Sequence, residues 1–312
     1  MYANAKEYIM KQILLGFLVL VATISHAETT TINRDESQEE VAGSTLKFIG
    51  GTQALDGQFP ATIQINRGPQ VRDITKCTGV AISRTHILLA AHCLFKYIDG
   101  VQQIFGLTFF YSYGVNAENF AMAGIKATYL PTEAMQFLIE NQAWNSKGAE
   151  DSHDIAVLQL DTMLPKEISM ATISSKEVNI GTTFRFGGYG CEQNQAIPSV
   201  ADKEENTFTW PKLKYAKGSV TSLSRLMAQG PTYEGLAKQS LCPGDSGGPI
   251  YLDNQSQNKK FTEIIGINNF TKLKAHDDDV NSEINFTRIT TKSKLGIWVN
   301  RVLAGSVDPF NF

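Results

Sequence analysis

The serine in "LCPGDSGGPI", residues 241–250, stands between an aspartate and two glycines. A serine hydroxyl is a poor nucleophile near neutral pH. It needs a base to take its proton, a group to orient that base, and donors for the oxyanion formed on attack. The glycines of "GDSGG" let backbone N–H groups converge beside Ser246, so this motif can supply the donors, and the base must come from elsewhere. The chain has five histidines. His26 lies in the N-terminal apolar region and His276 in the acidic run "AHDDDV", which reads as a solvated loop. Of the remaining three, His86, His92 and His153, His92 has the distinctive setting. It ends the strand-like run "HILLAAHC" and is followed at once by Cys93, which can pin its loop to Cys77 at the head of "CTGVAIS". A lone histidine more often fills a structural role; the attached cysteine and the serine motif shift the reading toward catalysis. The orienting acid should be buried and rigid. Asp154 opens the apolar stretch "DIAVLQL", whereas Asp151 and Asp161 lie in polar or turn contexts.

These residues must be held by a core, and a chain of 312 residues with 42% hydrophobic content can build one. The N-terminus sets the compartment. Lys6 and Lys11 precede the apolar run "ILLGFLVLVATI", Ile13 to Ile24, followed by Ser25-His26-Ala27. Twelve helical residues rise about 18 Å, short of the ~30 Å hydrocarbon core. Residues 1–27 therefore read as a secretory signal peptide cut after Ala27, with Met10 an alternative start. Export implies an oxidising compartment, extracellular or periplasmic. There the even set Cys77, Cys93, Cys191 and Cys242 admits three disulfide pairings, with free thiols or zinc as alternatives. The absence of C-x-x-C spacing favours disulfides over zinc. A net charge of −3 gives no basic surface for nucleic acid.

Residues 28–48 are polar, acidic and without apolar periodicity. The character changes at Ile49, in "IGGTQALDGQFPATIQI", and from there to about residue 290 the chain reads as short strands between turn residues: "ATIQI", "HILLAA", "IAVLQL", "TEIIGI" and "INFTRI". Residues 117–153 are the least regular, with a short helix expected in "PTEAMQFLIENQAW". Leu295, Trp298, Val299, Val302 and Leu303 follow i, i+3, i+4, i+7, i+8 spacing, which predicts one amphipathic terminal helix capped by Ser293 or Thr291 and stopped at Gly305. Many short strands closed by one helix indicate paired β-barrels rather than a parallel sheet.

Four segments, "IGGTQALDGQFP", "CTGVAISRTHILLAAHC", "DIAVLQL" and "CPGDSGGP", occur in the order in which the chymotrypsin-like (trypsin-fold) serine endopeptidases carry them. The chain resembles that family from Ile49 to its terminal helix. The resemblance implies an all-β fold of two packed six-stranded antiparallel barrels with a C-terminal α-helix. It implies a secreted zymogen with signal peptide 1–27, activation propeptide 28–48 and protease domain 49–312. It makes Ser246 the nucleophile, His92 the general base and acid, Asp154 the orienting carboxylate, and the backbone N–H groups of Gly244 and Ser246 the oxyanion hole. Asp245 would pair with the ammonium of Ile49 once the leader is cut. No cofactor or metal is implied. The implied partners are protein or peptide substrates, an activating protease and, as a further class, protein inhibitors, with no membrane association after signal removal.

The chain also departs from the family pattern. Relatives commonly carry Arg or Lys just before the new N-terminus; here Phe48 holds that place and Lys47 is one residue early, so cleavage after an aromatic residue is expected. The resemblance implies a Cys77–Cys93 bridge. Cys242 would ordinarily pair with a later cysteine, none follows it, and the family's loop arrangement points to Cys191. The pocket floor would be Ser240, neutral and small, with walls from Asn269 to Thr271 and from Ile284. Thr271 and Ile284 replace glycines of deep-pocketed relatives, which implies chymotrypsin- or elastase-like rather than trypsin-like specificity. Asn269 stands where a serine usually touches the buried acid. Two alternatives remain open: a catalytically silent binding or adhesion module of the same fold, and a hydrolase preferring esters. The N-x-S/T triplets at Asn254, Asn269 and Asn285 read as incidental rather than glycosylated.

Overall fold

The computed structural model describes residues 51–66, 77–98, 101–104, 108–141, 153–190, 212–224, 227–234, 237–238, 244–253, 260–274 and 281–309. The signal and leader segments, Ile49, Ser240, Cys191, Cys242 and Asn254 lie outside them.

Six strands form the first barrel: β1 (Thr62–Asn66), β2 (Cys77–Ala81), β3 (His86–Leu89), β4 (Thr108–Tyr113), β5 (Asn119–Tyr129) and β6 (Ala156–Leu160). They close in the order β1-β2-β3-β6-β5-β4. The second barrel uses β7 (Thr183–Gly188), β8 (Lys214–Ser219), β9 (Met227–Glu234), β10 (Pro249–Leu252), β11 (Glu263–Lys274) and β12 (Asn281–Arg288). Its order is β7-β8-β9-β12-β11-β10, closed by the pairing of Lys217 and Gly218 on β8 with Tyr233 and Thr232 on β9. The expected pair of six-stranded barrels is present, and both share one strand order.

Period-two alternation explains why these segments read as nearly continuous apolar runs. Along β3, Ile87 and Leu89 pack inside the first barrel while Leu88 points to the layer shared with the second. On β6, Ala156, Leu158 and Leu160 face in and Val157 faces out. On β11 Ile265 lies inside the second barrel and Ile264 and Ile267 in the shared layer, the three-residue step falling at a register shift opposite Ile250 and Tyr251. A strand covered on both faces is mostly apolar, and the polar residues it does carry, such as Thr78 and Asn268, are held by hydrogen bonds.

Among the described residues, two α-helices accompany the barrels. The insertion forms α1 (Thr132–Asn141) as expected. The region called least regular nevertheless contains β5, eleven residues long. Its first half is largely exposed, so β5 lacks the apolar alternation that marks the other strands. The terminal helix α2 (Lys294–Leu303) begins at Ser293, whose hydroxyl accepts from Gly296 N, and ends before Gly305 in a left-handed conformation. Leu295, Val299 and Val302 seat it in the layer between the barrels.

Cys77 and Cys93 form a disulfide that ties β2 to the turn after β3, and this excludes zinc for that pair. Its closed loop spans 16 residues. Replacing both cysteines by alanine should cost about 3 kcal/mol by the chain-entropy estimate, read as a lowered urea midpoint.

Candidate active site

The register of the first barrel brings His92 to Asp154. Leu89 on β3 pairs with Ala156 on β6, so the residues just after one strand and just before the other leave the same barrel end together. His92 sits on a single 3₁₀ turn, Ala91–Leu94, and Asp154 directly precedes β6. Asp154 is fully buried. Its Oδ1 accepts from His92 N at 2.9 Å and its Oδ2 lies 2.8 Å from His92 Nδ1. With the carboxylate as acceptor, Nδ1 carries the proton and Nε2 is left as the basic nitrogen. The imidazole keeps about a quarter of its surface exposed, 27%, so that edge remains reachable.

The serine loop is contributed by the second barrel, immediately before β10, and is pressed against the histidine turn. Ser246 O accepts from Thr78 N at 2.9 Å and lies 3.6 Å from Cys93 Sγ. Gly247 has φ 78°, and a Cβ there would stand 2.6 Å from Thr78 O and 2.7 Å from Ala90 N. No side chain fits that approach. The loop backbone thus touches Ala90 and Cys93, on either side of His92.

Further bonds fix the loop's shape. Gly247 N donates to Asn268 O at 2.8 Å, and Asn268 N donates to Gly248 O at 2.7 Å. Gly248 N donates to Asp245 O at 3.0 Å. The Asp245 carboxylate is buried against Gly188 and Gly190, accepting from Gly190 N at 2.7 Å. Gly244 has φ 104°, a conformation suited to glycine. The N–H groups of Gly244 and Ser246 donate to none of the described residues, unlike those of Gly247 and Gly248.

Two residues that the sequence reading missed hold this assembly. Thr78, fully buried, donates its hydroxyl to Gly244 O at 2.8 Å and accepts from Tyr189 N at 3.0 Å. It couples the first barrel to both loops of the second that flank Asp245. Asn268 donates Nδ2 to Asp245 O at 3.3 Å. Thr78 lies inside the segment "CTGVAISRTHILLAAHC" and Asn268 just before the expected wall, but their partners are distant in the chain and only the folded structure reveals them.

Of the expected pocket residues, Asn269 is buried at a bulge between Asn268 and Phe270. Thr271 pairs with Ile284, and Ile284 is fully buried. Asn285 is fully buried as well, so two of the three N-x-S/T triplets start at enclosed side chains. Among the described residues, no helix is long and apolar enough to cross a membrane.

This two-barrel architecture, with a serine loop from one barrel set on a histidine–aspartate pair from the other, can be compared with known proteins. The trypsin family model matches residues 48–291, and the chain belongs to that family. It is 22% identical to chymotrypsin-like elastase family member 1 of Canis lupus familiaris over 284 residues, covering 86% of this chain and 97% of that one. It is 26% identical to trypsin iota of Drosophila melanogaster over 227 residues, covering 71% and 79%. Its fold is shared with neuropsin, a serine protease expressed in the limbic system of mouse brain, at TM-score 0.53 and 16% identity, covering 81% and 98%. A mutant of human heparin binding protein aligns at TM-score 0.54 and 17% identity, covering 85% and 100%. The sequence relatives are serine proteases, a class that acts on proteins and peptides.

Thr78→Val removes a hydroxyl that serves two loops and leaves Gly244 O and Tyr189 N without their partner. It should cost about 1–3 kcal/mol in urea unfolding, with Thr78→Ser recovering most of the loss.

Proposed function

We propose that the chain is a secreted serine endopeptidase made as a zymogen, working through Ser246, His92 and Asp154. The observation that carries this reading is the double hydrogen bond from His92 to a fully buried Asp154, beside a serine loop anchored on both flanks of His92. His92 Nε2 takes the Ser246 proton as Oγ attacks the substrate carbonyl carbon, and the oxyanion is received by the N–H groups of Gly244 and Ser246. The imidazolium then protonates the leaving amine. Water, deprotonated by His92, hydrolyses the acyl-enzyme and restores the serine. Asp154 holds the tautomer and stabilises the transient charge.

Activation follows from cleavage after Phe48. The new Ile49 ammonium would pair with Asp245, whose carboxylate already braces Gly190. In support, Thr52 and Gln53, three and four residues beyond Ile49, are pinned beside Tyr215 and Lys214 on β8. Ser240 is neutral and small and Ile284 stands where deep-pocketed relatives carry a glycine, which supports chymotrypsin- or elastase-like rather than trypsin-like preference.

A fluorophosphonate probe should label protein processed to begin at Ile49 and fail on Ser246→Ala. Absence of label would favour the binding-module alternative, and peptide and ester libraries on the labelled form separate peptidase from esterase. Asp154→Asn should lower kcat about 10⁴-fold, a magnitude taken from the family's triad.

The Ile49–Asp245 pair carries a pH signature. A free α-amine titrates near ~7.7–8.0, and pairing raises that value. Its contribution is therefore complete at lower pH and is lost as pH rises through the paired value. Activity should fall in alkali and vanish when Ile49 is extended by one residue. N-terminal sequencing of active protein that begins elsewhere would overturn the assignment.

A further inference from the structure

Asn268 is a buried polar residue between apolar Ile267 and polar Asn269 on β11. It is fully buried and pairs across the sheet with Phe286, which packs on Phe184 in the interior of the second barrel. Directly paired residues project to the same face, so the Asn268 side chain is directed into the barrel end that carries the serine loop. Its backbone is committed to that loop through Gly247 and Gly248.

The side chain is half satisfied. Nδ2 donates to Asp245 O, the carbonyl just before Ser246, at 3.3 Å. A carbonyl cannot donate, so this contact assigns the nitrogen and leaves Oδ1 as the other end of the amide. Oδ1 is buried with no hydrogen-bond partner among the described residues. An orphaned buried acceptor is costly, and next to the serine loop a hydrogen-bond donor from a bound substrate would relieve that cost. Valine or leucine here would avoid that cost. Asn268 directly precedes the wall segment that begins at Asn269, and Thr271 on that wall pairs with Ile284.

We infer that Asn268 is a specificity-determining residue: its Oδ1 accepts a hydrogen bond from the substrate side chain preceding the scissile bond, selecting carboxamides, glutamine or asparagine. The inference rests on the proteolytic reading above. Glutamine donates an N–H to Oδ1, methionine of similar length and shape has no donor, and glutamate presents acceptors against an acceptor. A site built to bond a polar group discriminates against the analogue that lacks it, because its own group is then left unpaired.

The test uses the full chain processed to begin at Ile49, first titrated with a fluorophosphonate, then assayed on fluorogenic peptides that differ only in Gln, Met or Glu before the cut. The expected result is a labelled enzyme with kcat/KM for Gln at least about tenfold above Met and Glu. In Asn268→Val the Gln-to-Met ratio should fall to about one. Should the valine variant not fold, Asn268→Ala withdraws the acceptor in a smaller side chain and should collapse the same ratio. A labelled enzyme with no preference for Gln, or with a preference that survives both substitutions, overturns the inference and leaves the proteolytic reading intact. An unlabelled enzyme overturns both.

Discussion

A carboxyl group with no exposed surface must find its hydrogen bonds within the protein, and Asp154 takes both of its described ones from one residue. The main chain of His92 binds one oxygen and its imidazole the other. One bond alone would fix either the turn or the ring. Together they fix the turn, the ring plane and the nitrogen that holds the proton. Leaving such a carboxylate unpaired would cost several kcal/mol, so the 3₁₀ turn and the strand end that carries Asp154 are obliged to stay together. The β3–β6 register and the Cys77–Cys93 bridge serve the same constraint from the two sides of the turn.

The serine loop meets this pair as a foreign element, and its grip is made of main-chain bonds. Thr78 reaches it from the first barrel and Asn268 from the second. Glycine at 247 lets the backbones approach within a distance no side chain tolerates. The site is therefore a seam, and its geometry depends on the apolar layer in which Val80, Leu88 and Val157 of one barrel meet Tyr251, Ile264 and Ile267 of the other.

Much of this was legible in the sequence because the relevant signals are local. "HILLAAHC", "DIAVLQL" and "GDSGGP" each declare a chemical residue within its own segment, and Ser293 and Gly305 bracket the final helix by short-range rules. Thr78 and Asn268 were not legible. Their importance is defined by partners 166 and 23 residues away, which no window along the chain reveals. Strand β5 was hidden for a different reason, since its exposed half carries no apolar rhythm. The common strand order of the two barrels also left no repeat in the sequence. Topology can be duplicated while every side chain differs, because pairing is a property of the backbone.

The position of α2 gives the site a place in time. Its Leu295, Val299 and Val302 fill the layer between the barrels, and β12 must slot between β9 and β11 before the second barrel can close. A ribosome delivers these pieces long after residue 92 has emerged. The growing polypeptide therefore holds its His92–Asp154 pair before the residues that fill the layer between the barrels have been made, so that a chain interrupted before α2 would carry the pair without the complete apolar layer on which the seam depends.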